Sequence, residues 1–280
     1  MPVRERFAPS LHLNLKVSAA LSGPYQDLLG RLPHQGRLNV DETGHKDNGK
    51  AWWTWCFRVE LFTLFKIESS CGSQVLLKVL GEEFDGVLGC DYFSAYRKYM
   101  ADCGIAVQFC LAHLIREVKF LLTLPDRVTQ NYAQRLLNAL RKLFRVIHRR
   151  DEMTPGEFGR ALERARKTVL KIGRRAPARR ETQNLARRFR KHGAAYFQFI
   201  TTPGVEPTNN LAEQAIRFVV IDRRITQGTR SETGRQWNER IWTTIATLTQ
   251  QGRSILAYLH EAIHAYLDKQ PGPALLRAGP

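Results

Sequence analysis

The sequence predicts an α/β protein with a mixed sheet, helices on the faces of that sheet, and a basic, all-helical block that interrupts it. Three observations predict this class. Three strand-like segments follow one another as a meander, and helices and strands then alternate as far as Cys110. After Cys110 the strand-like segments stop and amphipathic helices follow. Such an order is typical of a sheet covered by helices.

Composition limits the functional classes. The chain has 280 residues, of which 43% are hydrophobic and 25% charged, and no apolar run approaches the roughly 18 residues of a membrane span. A membrane protein, a collagen-like fibre and a disordered chain are therefore excluded. The net charge of +17 favours a polyanionic partner such as nucleic acid, although from composition alone any basic protein is an alternative.

The positive charge is concentrated in one part of the chain. Residues 111–200 contain 22 Lys or Arg and 7 Asp or Glu, a net charge of +15, whereas the rest of the chain has a net charge of only +2. This distribution indicates a nearly neutral body that contains a basic module.

The individual elements are predicted from periodicity. Alternation at 37–41 and aromatic, β-branched runs at 51–59 and 61–67 predict the meander, with a turn segment at 44–50. A helix at 73–84, a buried strand at 86–91, a helix at 92–102 and a strand at 105–109 follow. The basic helices are predicted at 112–124, 129–150, 155–172 and 177–191, and three more helices at 209–220, 234–250 and 254–269.

These elements divide the chain into five parts. Residues 1–36, which Pro24 and Pro33 interrupt, are expected to be an N-terminal remnant or linker. Residues 37–110 form the first part of the core, residues 111–206 the basic insertion, and residues 207–270 the last part of the core. Residues 271–280 are expected to be a frayed tail. Five cysteines without a CxxC pair, and the lack of a signal-peptide pattern, favour the cytoplasm.

Three carboxylates occupy suggestive positions. Asp41 ends the first strand, Asp91 ends the fourth, and Glu213 lies one turn into a helix that begins near Asn209 or Asn210. If the first and fourth strands are neighbours, Asp41 and Asp91 approach each other, and a helix beside them adds Glu213. Such a cluster needs cations, and its hard oxygen ligands suit Mg²⁺ or Mn²⁺. Two such ions about 3.5–4 Å apart would support phosphoryl transfer on DNA or RNA.

Each carboxylate also has a structural interpretation. Asp41 could belong to a turn, Asp91 could cap the following helix, and Glu213 stands three residues after Asn210, as in a capping box. Two further motifs are better explained structurally than as metal sites. Cys110 and His113 form half of a zinc site, and the HExxH pattern at 260–264 lies on an ordinary amphipathic helix.

Basic residues are predicted to bind DNA phosphates without reading sequence. In the helical block they occur as pairs, and three more arginines follow Glu213. The predicted residues are Arg141, Lys142, Arg149, Arg150, Arg174, Arg175, Arg179, Arg180, Arg187, Arg188, Arg217, Arg223 and Arg224.

Four motifs carry a resemblance to a known family. The segments DETG at 41–44 with NGKAW at 48–52, DYFSAY at 91–96, CLAH at 110–113 and TNNLAEQAIR at 208–217 occur in the order found in bacterial DDE transposases. The chain from about residue 37 to its C-terminus therefore resembles the insertion sequence 66 family. Family members usually carry a longer N-terminal region for DNA recognition and zinc binding.

The resemblance implies a retroviral-integrase-like RNase H fold with a helical insertion between the second Asp and the Glu. It implies that Asp41, Asp91 and Glu213 bind two divalent ions, Mg²⁺ or Mn²⁺. Cys110, His113 and Asn210 are expected to be structural residues near these carboxylates. The implied reaction is nicking at transposon ends, followed by strand transfer to target DNA. The implied assembly is a synaptic homo-oligomer that also interacts with other proteins of the same element. The alternatives are a truncated, non-catalytic DNA-binding remnant and an RNase H-like nuclease.

Overall fold

A computed structural model describes residues 8–276 of the chain, with side chains from residue 13 onward. The chain forms two compact units. Among the described residues, unit 1 combines 8–88, 93–105 and 210–276, and unit 2 combines 89–92 and 106–209. The segment predicted as a basic insertion, 111–206, thus lies within unit 2.

The strands form one five-stranded sheet, so the predicted mixed α/β class is confirmed. The order across the sheet is β3-β2-β1-β4-β5, and β1 with β2 and β2 with β3 are antiparallel, as a meander requires. The first two residues of β4 belong to unit 1, and β5 belongs to unit 2. The strands are β1 (Arg37–Asp47), β2 (Lys50–Arg58), β3 (Thr63–Glu68), β4 (Val87–Cys90) and β5 (Ala106–Phe109).

The hairpin between β1 and β2 is tighter than predicted. Residues 44–50 were expected to form a turn segment, but β1 continues to Asp47, which pairs with Lys50. Only Asn48 and Gly49 form the turn, with φ values of 49° and 77°. Two successive residues with positive φ are typical of a two-residue hairpin turn, for which Asn-Gly is the favoured sequence.

Helices of unit 1 cover the meander. Helix α10 packs on β1 and β2, and α11 packs on β3. A buried cluster of Cys56, Phe65, Ile216 and Trp242 joins these elements. The helices of this unit are α1 (Ala8–Ala20), α2 (Ser22–Arg31), α3 (Ser73–Leu80), α4 (Ser94–Cys103), α10 (Asn210–Thr226), α11 (Glu232–Gln250) and α12 (Ile255–Leu267).

The N-terminal segment differs from the linker that the sequence analysis expected. Helices α1 and α2 occupy most of it, and the Tyr25 hydroxyl donates to the carbonyl oxygen of Phe65 at 3.0 Å. Leu28 is fully buried. Pro24 does not break α2 because it lies in the first turn, where its missing N–H would have no partner within the helix.

Unit 2 is helical apart from β5 and the end of β4. Its helices pack in chain order, α5 on α6, α6 on α7 and α7 on α8. Helix α7 starts with a capping box in which Thr154 and Glu157 cap each other's backbone N–H. The helices are α5 (Leu111–Leu122), α6 (Arg127–His148), α7 (Pro155–Arg174), α8 (Arg180–His192) and α9 (Gln198–Thr201), with a 3₁₀ turn at Gly193–Tyr196.

The predicted frayed tail is packed as far as the structure describes it. Leu275 is only 1% exposed, and Arg253 Nη1 donates to its carbonyl oxygen at 2.7 Å. Residues 277–280 of that tail lie outside the described residues. Across residues 8–276, none of the helices has the length and apolar character needed to cross a bilayer.

Candidate active site

Asp41 lies on the sheet face that α10 and α11 cover. In the β1–β2 register it pairs with Cys56, and paired residues share a face. Cys56 is fully buried in the cluster with Ile216 and Trp242. Burial raises the pKa of the Cys56 thiol, and the Asp41 carboxylate raises it further. The carboxylate of Asp41 therefore lies close to this core, and it is itself half-buried.

Glu213 lies in the first turn of α10, as predicted, and is half-buried. Ile216, three residues later on the helix, belongs to the same cluster as Cys56. Residues three apart on a helix are neighbours on its surface. Asp41 and Glu213 are thus carried by two elements that pack through one buried cluster, although they are 172 residues apart in the chain.

Asp91 directly follows β4 and is half-buried. The carbonyl oxygen of Cys90 accepts from the N–H of Cys110 at 2.8 Å, which joins the end of β4 to the residue after β5. In the sheet order β4 is the neighbour of β1, as the sequence argument requires.

The three residues predicted to be structural have different surroundings. Cys110 is 2% exposed, and its Sγ accepts from the backbone N–H of Asn209 at 3.1 Å. His113 is half-buried, has a ligand nitrogen within 4.8 Å of the Cys110 sulfur, and contacts Arg116 Nη2 at 3.2 Å. Asn210 is exposed, whereas Asn209, which the sequence analysis did not select, is 1% exposed. The buried polar residue at this point is therefore Asn209.

Most of the predicted phosphate-binding residues are exposed. Among the thirteen, only Arg188 and Arg223 are half-buried, and Arg149 and Arg179 pair with Glu152 and Asp126. Within the described part of the chain, seven of the predicted residues in unit 2 are exposed and in no ion pair: Arg141, Lys142, Arg150, Arg174, Arg175, Arg180 and Arg187.

Arg188 differs from its neighbours. Its side chain is 16% exposed, and its Nη1 and Nη2 donate to the two Glu117 oxygens at 2.9 and 2.5 Å. Nη1 also donates to the Tyr196 hydroxyl at 3.1 Å. These contacts occupy three of the five N–H donors of the guanidinium, so Arg188 is already paired within unit 2, and its role in phosphate binding stays a prediction. The sequence contained no signal for this, because the basic pair Arg187-Arg188 looks uniform.

The HExxH motif on α12 has the histidine pair that its spacing predicts. The Nε2 atoms of His260 and His264 are 3.0 Å apart, and both side chains are at the surface. Among the described residues, no third His, Cys, Asp or Glu completes a ligand group with them.

Comparison with known proteins identifies the class and then the family. A family model described as "Transposase IS66 family" matches residues 12–237, and no curated protein matches the chain. The chain is therefore a transposase-type protein, and it belongs to the IS66 family of transposases. Membership implies that it processes DNA and binds it. The match begins at residue 12, well before residue 37, so most of the N-terminal helical segment belongs to the matched region.

Proposed function

We propose that the chain contains the catalytic core of a DDE transposase, with Asp41, Asp91 and Glu213 as joint ligands of divalent ions. In this proposal the sheet is RNase H-like and residues 111–206 are its helical insertion. The observation that carries the proposal is the buried cluster that Cys56 and Ile216 share, because it joins the Asp41 face of β1 to the Glu213 helix. The position of β4 beside β1 supports the inclusion of Asp91.

The donor set fits the proposed metal. Three carboxylates offer only hard oxygen ligands, which suit Mg²⁺ or Mn²⁺ better than softer metals. Their mutual repulsion also requires a cation. When bound, two such ions would supply positive charge to the attacking and leaving oxygens at a phosphodiester. The carboxylates themselves hold the ions in place, and the buried cluster beneath Asp41 and Glu213 keeps the two elements rigid.

DNA is the proposed substrate and partner. The exposed arginines of unit 2 would bind backbone phosphates and so position DNA without reading its sequence. The proposed reaction is nicking at transposon ends, followed by attack of the freed 3′-OH on target DNA. We propose that it occurs in the cytoplasm, within a synaptic homo-oligomer that other proteins of the same element can join.

The test is Mg²⁺-dependent cleavage of DNA that carries the ends of the element. Asp41→Asn, Asp91→Asn and Glu213→Gln should each reduce nicking and joining by at least about 10³-fold, because each removes one metal ligand. DNA binding should stay within about twofold of the parent. The matched controls are Asp85→Asn and Glu261→Gln, since both carboxylates are exposed.

Each outcome selects one function. Loss of both steps in the three variants alone supports the transposase. Nicking of any duplex without joining would indicate an RNase H-like nuclease, and DNA binding without metal-dependent cleavage by the parent chain would indicate a non-catalytic remnant. Full activity in one variant would remove that residue from the site.

A further inference from the structure

A cleft of about 450 Å³ lies beside β1 in unit 1. Its lining residues are Gly44, His45, Lys46, Arg223, Arg224 and Gln227. Three of these six residues are cationic, and none is acidic. Arg223 and Arg224 were predicted to bind phosphate from their charge, but no pattern in the sequence indicates that they share a cleft with Lys46.

The cations of this cleft have no counter-charge in the described structure. Neither Lys46 nor Arg223 nor Arg224 forms an ion pair with a residue in the range 13–276. Asp222, their neighbour in the chain, forms no ion pair with either arginine among the described residues. Burial lowers the pKa of Arg223, and the charge of Arg224 lowers it further, so the two guanidinium groups repel each other. An anion between them would remove that repulsion.

The walls of the cleft are fixed by hydrogen bonds. Arg223 Nη1 donates to Thr43 Oγ1 at 3.1 Å, which holds this guanidinium against β1. The segment after α10 is joined to the end of β1, because Thr229 N–H donates to the Lys46 carbonyl at 2.9 Å and Asn48 N–H donates to the Thr229 carbonyl at 2.8 Å. The cleft is therefore preorganised before any ligand arrives.

Two elements lead from the proposed metal ligands to this cleft. Along β1, the cleft begins three residues after Asp41, about 10 Å away at about 3.3 Å per residue. Along α10, Arg223 is ten residues after Glu213, about 15 Å away at about 1.5 Å per residue. One strand of B-form DNA advances about 3.4 Å per nucleotide, so 10–15 Å corresponds to about three or four nucleotides.

We propose that the cleft of Lys46, Arg223 and Arg224 binds a DNA backbone phosphate that lies about three or four nucleotides from the reacting phosphodiester. The predicted spacing rests on the proposed function, which defines the reacting bond, whereas the binding of a phosphate in the cleft does not. The cleft would thus set the register of the substrate strand along β1 and α10.

The first test measures binding without chemistry. A short fluorescent duplex is titrated with the full chain in Ca²⁺ at several KCl concentrations, and log Kd is plotted against log[KCl]. Each lost phosphate contact lowers the slope by about 0.9, and the cleft is proposed to hold one phosphate, so the Arg223→Gln/Arg224→Gln variant should lose up to about 0.9. Lys269→Gln is the control, because Lys269 is exposed, forms no ion pair with any of residues 13–276 and lies outside the cleft. A slope equal to that of the parent chain overturns the proposal, as does an equal loss in the control.

The second test measures the register. Single methylphosphonate groups, which lack the phosphate charge, are placed in turn along the strand that carries the cleavable bond. The parent chain should lose about tenfold in affinity at one position, three or four nucleotides from that bond, and the double variant should show no such loss. A loss elsewhere, or one that persists in the double variant, overturns the placement. A parent chain that binds with the expected slope but never cleaves would contradict the proposed function and leave the phosphate site standing.

Discussion

The guanidinium of Arg188 lies 3.9 Å from the centroid of the Tyr92 ring, above the residue that directly follows Asp91. The Tyr92 ring also packs edge-on against Phe109, with centroids 4.9 Å apart. Because Glu117 also holds the guanidinium through two hydrogen bonds, this arginine of α8 restrains the chain next to a proposed metal ligand. A residue within the basic helical block therefore contributes to order at the end of β4.

Replacing Arg188 should impair metal binding more than DNA binding. Arg188→Ala removes the cation–π contact and leaves Glu117 without its partner, so we expect the free energy of unfolding to fall by about 1–3 kcal/mol. The Mg²⁺ concentration for half-maximal cleavage should rise several-fold, because Asp91 is held less firmly. Urea denaturation and Mg²⁺ titration of the full chain measure the two effects.

Two further variants separate positioning from charge loss. Arg188→Lys keeps the positive charge but loses the two-donor contact with Glu117. Its Mg²⁺ concentration for half-maximal cleavage should therefore lie between those of the parent chain and of Arg188→Ala. Arg187→Ala removes one exposed charge from the same turn of α8 and should leave the Mg²⁺ response unchanged. An unchanged Mg²⁺ response in Arg188→Ala would show that the arginine has no positioning role.

Gly228 should not tolerate a side chain. Its φ is +93°, and a Cβ would lie 2.2 Å from the carbonyl oxygen of Lys46, which is a rigid backbone atom. We expect Gly228→Ala to lower the free energy of unfolding by about 2–4 kcal/mol. Gly252→Ala is the matched control, because Gly252 also has positive φ, +63°, but has open space around its Cα. If Gly228→Ala and Gly252→Ala lower the free energy of unfolding equally in urea denaturation, backbone conformation alone, and not the contact with β1, limits residue 228.

His45 should make the protein less stable in mild acid. Burial lowers the pKa of His45 to about 4. The negative charge of Asp47 favours the protonated imidazole and so opposes part of this shift. As the pH falls, the unfolded chain therefore binds a proton at this histidine near pH 6.5, whereas the folded chain binds it only near pH 4. The free energy of unfolding consequently falls as the pH falls through this window. The loss attributable to His45 should reach about 3 kcal/mol near pH 4.

The comparison of the parent chain with His45→Gln isolates that effect. Unfolding free energies measured between pH 4 and pH 7 should converge as the pH falls, since only the parent chain loses the contribution of a buried neutral imidazole. Curves that stay parallel across this range would contradict the assignment.

Removing positive charges from unit 2 should weaken DNA binding, because contacts with backbone phosphates are lost. Arg174, Arg175 and Arg180 are exposed and in no ion pair among the described residues. Replacing all three with Gln should lower the salt dependence of log Kd by up to about 2.7 and should weaken binding to all sequences equally. A change that depends on DNA sequence would instead indicate base contacts.

Local sequence signals predicted the elements but not their packing. The alternation at 37–41 predicted the start of β1, but the strand continues to Asp47. Leu38 and Val40 are buried on one face of this strand, whereas His45 and Asp47 are buried on the other face. Periodicity could not follow that switch. The partnership of Asp41 with Glu213 came from family motifs, since contacts between residues so far apart leave no local pattern.

Other features depended on tertiary contacts that no motif records. Pro24 and Pro33 made residues 1–36 resemble a linker, but Tyr25 and Leu28 are buried within unit 1. Asn209 and Asn210 were indistinguishable in sequence, and only Asn209 is buried, where its N–H meets the Cys110 sulfur.

Metal-centred cleavage of the chain tests the central claim most directly. When Fe²⁺ replaces Mg²⁺ in the presence of ascorbate and peroxide, radicals formed at the ion cut the backbone beside its ligands. We expect cuts near residues 41, 91 and 213 together, suppressed by excess Mg²⁺ and absent in Asp41→Asn. Cuts near only one of these residues, or at none, would contradict a shared site for the three carboxylates.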